Sequence, residues 1–258
     1  MSEKLRLRMK VSYDGTDFYG WQVQAEGRTV QGEIESAMAR LLGRRPRLHG
    51  SGRTDRGVHA LGQVAHVDVS PRERRRIVEG LDEVLPQDVS VHSIEIAPTN
   101  FHARFSAISR TYVYRMLKAK SPLQYRYACT MEDSLVSPAM REAAKLSLGM
   151  ADWRGMAKEG SSNQDWTVEV TGAWMDEYSG GWTLVISANR FLRGMVRIWA
   201  GTLMQVGRGR LEPEDMARIL QSGDRSLAGP ALPAKGLTLL EVRYESSEIT
   251  GKAGDRKL

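Results

Sequence analysis

The sequence predicts an α+β protein built from two similar halves, and three observations support this prediction. With 258 residues, 41% of them hydrophobic, the chain can bury one large core or two small ones. Strand-like and helix-like spacings of apolar residues alternate along it. The series of patterns starts again near residue 106. We therefore expect an N-terminal domain at 1–105, a C-terminal domain at 106–245 and a polar, disordered tail at 246–258.

The N-terminal half begins with a strand and a helix. Apolar residues take every second position over Leu5–Tyr13, and turn-forming residues at 14–16 end this strand. Thr29 is suited to cap the helix that follows, and Gly43 is suited to end it.

The next elements complete a β-α-β-β-α-β order. A weak strand is expected near Leu48 and a clear one over 64–69. Ser70 and Glu73 form the sequence pattern of a capping box, so a second helix starts there, and a strand over 89–96 follows. This order is typical of the ferredoxin-like arrangement.

The C-terminal half shows similar patterns. The helix that begins at Ser137 is expected to carry Leu148 on its apolar face, and a later helix to carry Phe191. In chain order the predicted elements are a strand at 106–117, the helix from Ser137, strands at 168–177 and 182–188, a helix at 190–206, a shorter helix after Pro213 and a strand at 237–244.

Composition excludes several classes of protein. The single cysteine, Cys129, rules out an intrachain disulfide framework and a thiolate metal cluster. The five histidines are scattered and lack the spacing of a zinc motif. No apolar run reaches membrane-spanning length, and the first residues lack the apolar core of a signal peptide. We expect a reduced, cytoplasmic protein without a metal.

The charge of the chain leaves two interpretations open. The net charge is +6, and arginines cluster at 44–47, 72–76 and 208–210. Guanidinium groups bind phosphate in a bidentate manner and stack on bases, which favours a nucleic-acid partner. Basic runs are also common on solvated helix faces, so charge alone does not decide between the two.

A glycine-rich turn over 50–60 places Asp55 between Arg53 and Arg56. A carboxylate beside guanidinium groups stays ionised, as a nucleophile or an electrostatic anchor requires. The same pattern also describes a surface turn with a solvated ion pair. The sequence has no phosphate-binding loop, no dinucleotide fingerprint and no Gly-x-Ser-x-Gly elbow, which argues against nucleotide-cofactor chemistry.

Six blocks of sequence, in the same order along the chain, resemble the TruA family of tRNA pseudouridine synthases. The block that contains the turn reads Gly-Arg-Thr-Asp-x-Gly-Val-His over 52–59. The other five blocks lie at 13–22, 29–32, 101–114, 189–197 and 235–239. Because these blocks cover nearly the whole chain, chance similarity is very improbable.

The resemblance implies a pseudouridine synthase fold, with two ferredoxin-like halves that have largely antiparallel sheets and meet at a central RNA-binding cleft. It also implies an isomerase that converts uridine to pseudouridine at positions 38–40 of the tRNA anticodon stem-loop, without a cofactor. Asp55 would be the nucleophile. Attack at C1′, attack at C6 of the base, or a glycal route all remain open.

The resemblance also assigns roles to other residues. Arg197 would pair with Asp55, and Tyr112 would stack on the target base, whereas Tyr114 is more simply a core aromatic. Arg53 would occupy the space left by the flipped nucleotide, and Leu237 would line the base pocket. The remaining residues expected at the substrate or RNA are Arg56, His59, His102, Arg104 and Arg110. For His59 and His102, RNA backbone contact or structural hydrogen bonding is favoured over acid–base catalysis.

The chain departs from the family pattern at four positions. Arg56 replaces a small residue, Ser51 an alanine, Glu169 an arginine and Trp153 a phenylalanine. These changes bear on RNA contacts and substrate range more than on chemistry, because Asp55, Tyr112 and Arg197 are present.

The expected partners are tRNA and a second copy of the chain, since the family works as a homodimer. Two other functions compete with this one. A non-catalytic RNA-binding protein could use the same scaffold. A hydrolase or phosphotransferase with a carboxylate nucleophile would need further acidic metal ligands, and none are evident in the sequence.

Overall fold

The structure is a computed structural model that describes residues 4–131, 134–160 and 164–245, so the predicted disordered tail lies outside the described residues. It is mixed α+β, with mostly antiparallel strands. The described chain divides into two compact units, one formed by 4–108 with 241–245 and the other by 109–240. In the described part of the chain, no helix has the length and apolar character needed to cross a membrane.

The first unit contains strands and helices in the predicted order. They are β1 (Leu5–Tyr13), α1 (Val30–Leu42), β2 (His49–Gly50), β3 (His59–Val69), α2 (Pro71–Val84) and β4 (Val89–Ala97). Strand β1 lies between β4 and β3, and β2 pairs with β3. All of these pairings are antiparallel.

Both helices of this unit start at the positions that the capping residues in the sequence predicted. The hydroxyl of Thr29 accepts a hydrogen bond from the amide of Gly32 at the start of α1. At α2 the capping box is complete, because Ser70 and Glu73 each accept from the other's backbone amide. Gly43 ends α1 with φ +73°, a backbone conformation that glycine adopts without strain.

The second unit is built on β5 (Ala107–Leu117), whose first two residues precede the boundary. The elements that follow are β6 (Cys129–Thr130), α3 (Ser137–Lys145), β7 (Gly149–Asp152), β8 (Thr167–Tyr178), β9 (Gly181–Ala188), α4 (Met195–Gly207) and α5 (Asp215–Ser222). An antiparallel sheet runs in the order β5-β9-β8-β7, and the short β6 adds to β5 in parallel. The boundary between the units falls within the last strand, β10 (Leu237–Tyr244).

Two predictions for the helices of this unit were wrong. Helix α4 begins at Met195 rather than near residue 190, because Gly194 adopts φ +73° and interrupts helical geometry. Phe191 therefore lies before the helix. Helix α3 ends at Lys145, so Leu148 is not part of its apolar face and is 49% exposed.

Candidate active site

The glycine-rich turn connects β2 to β3, and hydrogen bonds hold both of its sides. On the first side, the amide of Ser51 donates to the carbonyl of Val64 at 2.7 Å. The Ser51 hydroxyl donates to Oε1 of Gln63 at 2.6 Å. Gln63 in turn donates to the carbonyl of Gly52 at 3.0 Å. On the other side, the amide of Val58 donates to the carbonyl of Asp55 at 3.2 Å.

The segment that follows β1 packs directly against this turn. The amide of Trp21 donates to the carbonyl of Thr54, and the amide of Gly57 donates to the carbonyl of Phe18. Gly20 adopts φ +94°, and a Cβ there would lie 2.5 Å from the carbonyl oxygen of Thr54. A side chain at this position would push the two segments apart, so glycine is required for their close approach.

Asp55 is half-buried in this turn, and the arginines on either side of it are exposed. The guanidinium carbon of Arg56 lies 4.1 Å from the centre of the Tyr19 ring. Arg56 is thus stacked on a residue of the packed segment. Tyr19 lies inside the block at 13–22, and no local pattern in the sequence marks it as a site residue.

His59 is only 3% exposed, at the start of β3. Its Nδ1 lies 3.0 Å from the amide nitrogen of Gly15 and 3.1 Å from Oδ1 of Asp14. These contacts attach the end of the turn to the end of β1. They favour the structural alternative for His59, while an RNA contact remains a prediction.

Three histidines of the first unit lie close together, although they are far apart in sequence. His49, His66 and His102 each present a ring nitrogen within 4.8 Å of the others. The Nδ1 of His66 accepts from the amide of Ala103 at 3.1 Å. The Nδ1 of His102 accepts from the amide of Arg104 at 3.1 Å, so this cluster holds the backbone around 102–105.

The hydrogen bonds of this cluster do not suit a metal ion. A neutral imidazole has one N–H group and one lone pair. Because Nδ1 of His66 and of His102 uses its lone pair to accept a backbone bond, the proton lies on Nε2 in each ring. A metal would therefore have to displace a backbone hydrogen bond or a proton at two of its three ligands.

Burial lowers the pKa of all three histidines, because desolvation disfavours the imidazolium ion. The effect is largest for His66, whose pKa falls to about 4. The cluster is neutral near pH 7, as its accepted hydrogen bonds require. Arg104, the remaining predicted RNA contact of this segment, is exposed.

The second unit contains the other two predicted catalytic residues. Tyr112 lies on β5, is buried, and meets the ring of Phe191 edge-on at 5.0 Å between ring centres. Arg197 lies in the first turn of α4 and is partly buried. Its Nε donates to the carbonyl of Leu232 at 2.6 Å, and the amide of Leu232 donates back to the carbonyl of Arg197.

Three further residues of this unit have clear positions. Arg110 donates to the carbonyl of Asn189 at 2.7 Å. Leu237 is buried at the start of β10. Tyr114 is fully buried and donates to the carbonyl of Pro233 at 2.8 Å, as expected of a core aromatic. Burial raises the pKa of Tyr114, so its hydroxyl stays protonated.

Each unit thus carries part of the predicted site. The first unit holds Asp55 in a hydrogen-bonded turn between Arg53 and Arg56, together with the predicted RNA contacts His59, His102 and Arg104. The second unit holds Arg110 and Tyr112 on β5, Arg197 in the first turn of α4 and Leu237 at the start of β10. A fixed carboxylate beside exposed guanidinium groups can act on a polyanionic substrate by nucleophilic attack.

Comparison with known proteins identifies the class. The profile of a family described as tRNA pseudouridine synthase matches residues 9–106 and 143–245. The chain therefore belongs to the tRNA pseudouridine synthase family.

Within this family, the chain is most informatively compared with relatives named tRNA pseudouridine synthase A. The chain is 39% identical over 248 residues to tRNA pseudouridine synthase A of Streptococcus thermophilus, covering 93% of this chain and 100% of that protein. It is 40% identical over 261 residues to tRNA pseudouridine synthase A of Paramagnetospirillum magneticum, covering 96% and 98%. The relative from Syntrophotalea carbinolica is 38% identical, covering 92% and 96%. These matches confirm the TruA resemblance.

Proposed function

We propose that this protein converts uridine to pseudouridine in tRNA, at positions 38–40 of the anticodon stem-loop, with Asp55 as the nucleophile. The observation that carries the proposal is the half-buried Asp55 in a turn held on both sides, within a chain that belongs to the tRNA pseudouridine synthase family. The non-catalytic alternative gives no reason for a carboxylate to be held in this way.

The reaction is an isomerisation. The N1–C1′ bond of the uridine breaks, the uracil turns, and a C5–C1′ bond forms. C5 loses its proton and N1 gains one, so no group donor or redox partner is consumed. Asp55 supplies the electron pair, at C1′ or at C6, or accepts a proton in a glycal route. A base in a helical stem has to be extruded before any of these steps.

The partners of Asp55 come from the second unit in this proposal. Arg197 neutralises the carboxylate, and its guanidinium is already oriented by the carbonyl of Leu232. Tyr112 stacks on the extruded uracil, and Leu237 lines the apolar wall of the base pocket. We also propose that each half has the ferredoxin-like arrangement. For the N-terminal half, this is supported by the strand order β4-β1-β3, with β2 paired to β3.

The tRNA is held by shape and by phosphate contacts in this proposal. The proposed contacts are Arg53, Arg56, His102, Arg104 and Arg110. For His59 we propose the structural role that its contacts with Gly15 and Asp14 favour. Arginine-rich binding to phosphate weakens steeply as salt rises, because bound counterions are released. The enzyme works in the cytoplasm as a homodimer, without a cofactor or a metal.

The direct test uses purified protein and an unmodified tRNA transcript, with pseudouridine mapped at single-nucleotide resolution. We expect new pseudouridine at one or more of positions 38–40, and the same yield after treatment with a chelator. Binding of the transcript without any pseudouridine would support the RNA-binding alternative. Loss of activity with the chelator, restored by a divalent metal, would contradict the metal-free mechanism.

A further inference from the structure

Arg56 departs from the family pattern, and the structure gives it a specific neighbour. Its guanidinium lies 4.1 Å from the ring centre of Tyr19. Both side chains are exposed, Tyr19 at 42%. Arg56 follows Asp55 directly in sequence, so the stacked pair lies beside the proposed nucleophile.

The Tyr19 ring is itself held in place. A Cβ on Gly27, which has φ +87°, would lie only 2.6 Å from Cγ of Tyr19, so the ring packs directly on the glycine backbone. The amide of Tyr19 donates to the carbonyl of Arg28 at 2.8 Å, and the Gln24 side chain donates to the carbonyl of Tyr19 at 2.8 Å. The ring is therefore a fixed support for the guanidinium.

Stacking leaves the hydrogen-bonding capacity of an arginine intact. The cation–π contact uses the face of the guanidinium, whereas a phosphate is bound through its in-plane N–H groups. Both contacts can form at once. Holding a long, flexible side chain in advance also lowers the entropy lost when its ligand binds.

We propose that Arg56, positioned by Tyr19, binds the RNA phosphodiester backbone next to the target uridine. The inference rests on the proposed function, in which Arg56 is one of the phosphate contacts, and adds the place of that contact and the residue that positions it. Arg56 is the binding residue and Tyr19 is a positioning residue. The contact contributes to substrate affinity and leaves the chemical step unchanged, because neither side chain supplies a proton or an electron pair.

The test measures kcat, KM and the salt dependence of binding for Arg56→Ala, with Arg56→Lys, Tyr19→Phe and Tyr19→Leu beside it. We expect KM for an anticodon stem-loop RNA to rise roughly fivefold to twentyfold in Arg56→Ala, with kcat within about twofold of wild type. The plot of log affinity against log salt concentration should become less steep by about one unit, which is the contribution of one phosphate contact. The matched control is Arg218→Ala, which removes the same charge from an exposed position on helix α5, outside the arginine clusters.

The Tyr19 variants separate positioning from charge. Tyr19→Phe keeps the ring and should keep the wild-type KM, whereas Tyr19→Leu should approach the KM of Arg56→Ala. In the double variant Arg56→Ala with Tyr19→Leu, the increases in KM should not add, because both substitutions remove the same phosphate contact. Arg56→Lys should recover only part of the affinity, since a lysine is a point charge without the planar fork.

Two results would overturn the inference. One is an Arg56→Ala variant whose KM and salt slope equal those of Arg218→Ala. The other is a Tyr19→Leu variant that behaves like Tyr19→Phe. Both results require a wild-type enzyme that forms pseudouridine. They can therefore be distinguished from failure of the proposed function, in which the wild-type protein forms none.

Discussion

The hydroxyl of Tyr13 lies 2.8 Å from Oγ1 of Thr54, in a hydrogen bond buried between the end of β1 and the turn that holds Asp55. Both side chains are almost fully buried. Burial raises the pKa of Tyr13 to about 12, so the hydroxyl is protonated throughout the neutral range. This bond fixes the residue that directly precedes the proposed nucleophile.

The first prediction concerns Tyr13→Phe. Losing a buried hydrogen bond should lower the free energy of unfolding by about 1–2 kcal/mol. Because Thr54 would be less constrained, Asp55 should be less well positioned, and kcat should fall more than KM rises. Chemical denaturation and single-turnover kinetics measure the two effects.

The control for this variant is Tyr244→Phe. The Tyr244 hydroxyl donates to the carbonyl of Ala103 at 2.7 Å, in the same unit, and neither residue belongs to the Asp55 turn. The free energy of unfolding of Tyr244→Phe should fall by about as much as that of Tyr13→Phe, but its kcat should stay at the wild-type value. A wild-type kcat in Tyr13→Phe together with a reduced kcat in Tyr244→Phe would contradict the role of the Tyr13 hydrogen bond in positioning Asp55.

The second prediction is a pH dependence of stability caused by His66. Its pKa is about 4 in the folded protein, against about 6.5 in an unfolded chain. Between these values the unfolded chain binds a proton that the folded protein excludes, so the free energy of unfolding should decrease as pH falls from 6.5 to 4. Above pH 6.5 this contribution is fully present.

Two substitutions of His66 test this dependence. His66→Asn and His66→Gln both remove the titrating group, so both should flatten the pH profile between 6.5 and 4. Asn can place its amide oxygen near the former Nδ1 and accept from Ala103, whereas Gln places it near Nε2. His66→Asn should therefore be the more stable of the two at pH 7. If the free energy of unfolding of both variants changed with pH as steeply as in the wild type, the pH dependence would come from groups other than His66.

The third prediction compares three buried tryptophans. Nε1 of Trp182 donates to Ser137 and Nε1 of Trp199 donates to Ser147. Nε1 of Trp153 is buried without a hydrogen-bond partner among the described residues. Since an unpaired buried N–H is costly, replacement of Trp153 by phenylalanine removes a penalty.

We expect Trp153→Phe to cost about 1–2 kcal/mol less stability than Trp182→Phe or Trp199→Phe, since all three lose similar volume. Urea denaturation of the three variants provides the comparison. Equal losses in all three would mean that packing, and not the indole N–H, decides the stability at these positions.

Local sequence signals predicted much of the fold. The period of two gave the bounds of β1 correctly, and side-chain caps placed the starts of α1 and α2. These features depend on residues within a few positions of one another. The start of α4 was misplaced because an apolar spacing continues through Gly194, whose backbone conformation cannot be read from that spacing.

The site was predictable only in part, for the same reason. The blocks around Asp55, Tyr112 and Arg197 indicated candidate residues directly. The support of Arg56 by Tyr19 and the histidine cluster depend on tertiary contacts, such as the bond between His66 and Ala103, which are 37 positions apart. No local pattern in a single sequence carries that information.

The role of Asp55 as the nucleophile is tested by Asp55→Asn, which keeps the size of the side chain and removes its charge. In a single-turnover assay with an unmodified tRNA transcript, we predict no detectable pseudouridine, while the affinity for tRNA stays within about threefold of wild type, since most binding energy comes from phosphate contacts elsewhere. Pseudouridine formation at the wild-type rate by Asp55→Asn would contradict the assignment of Asp55 as the nucleophile.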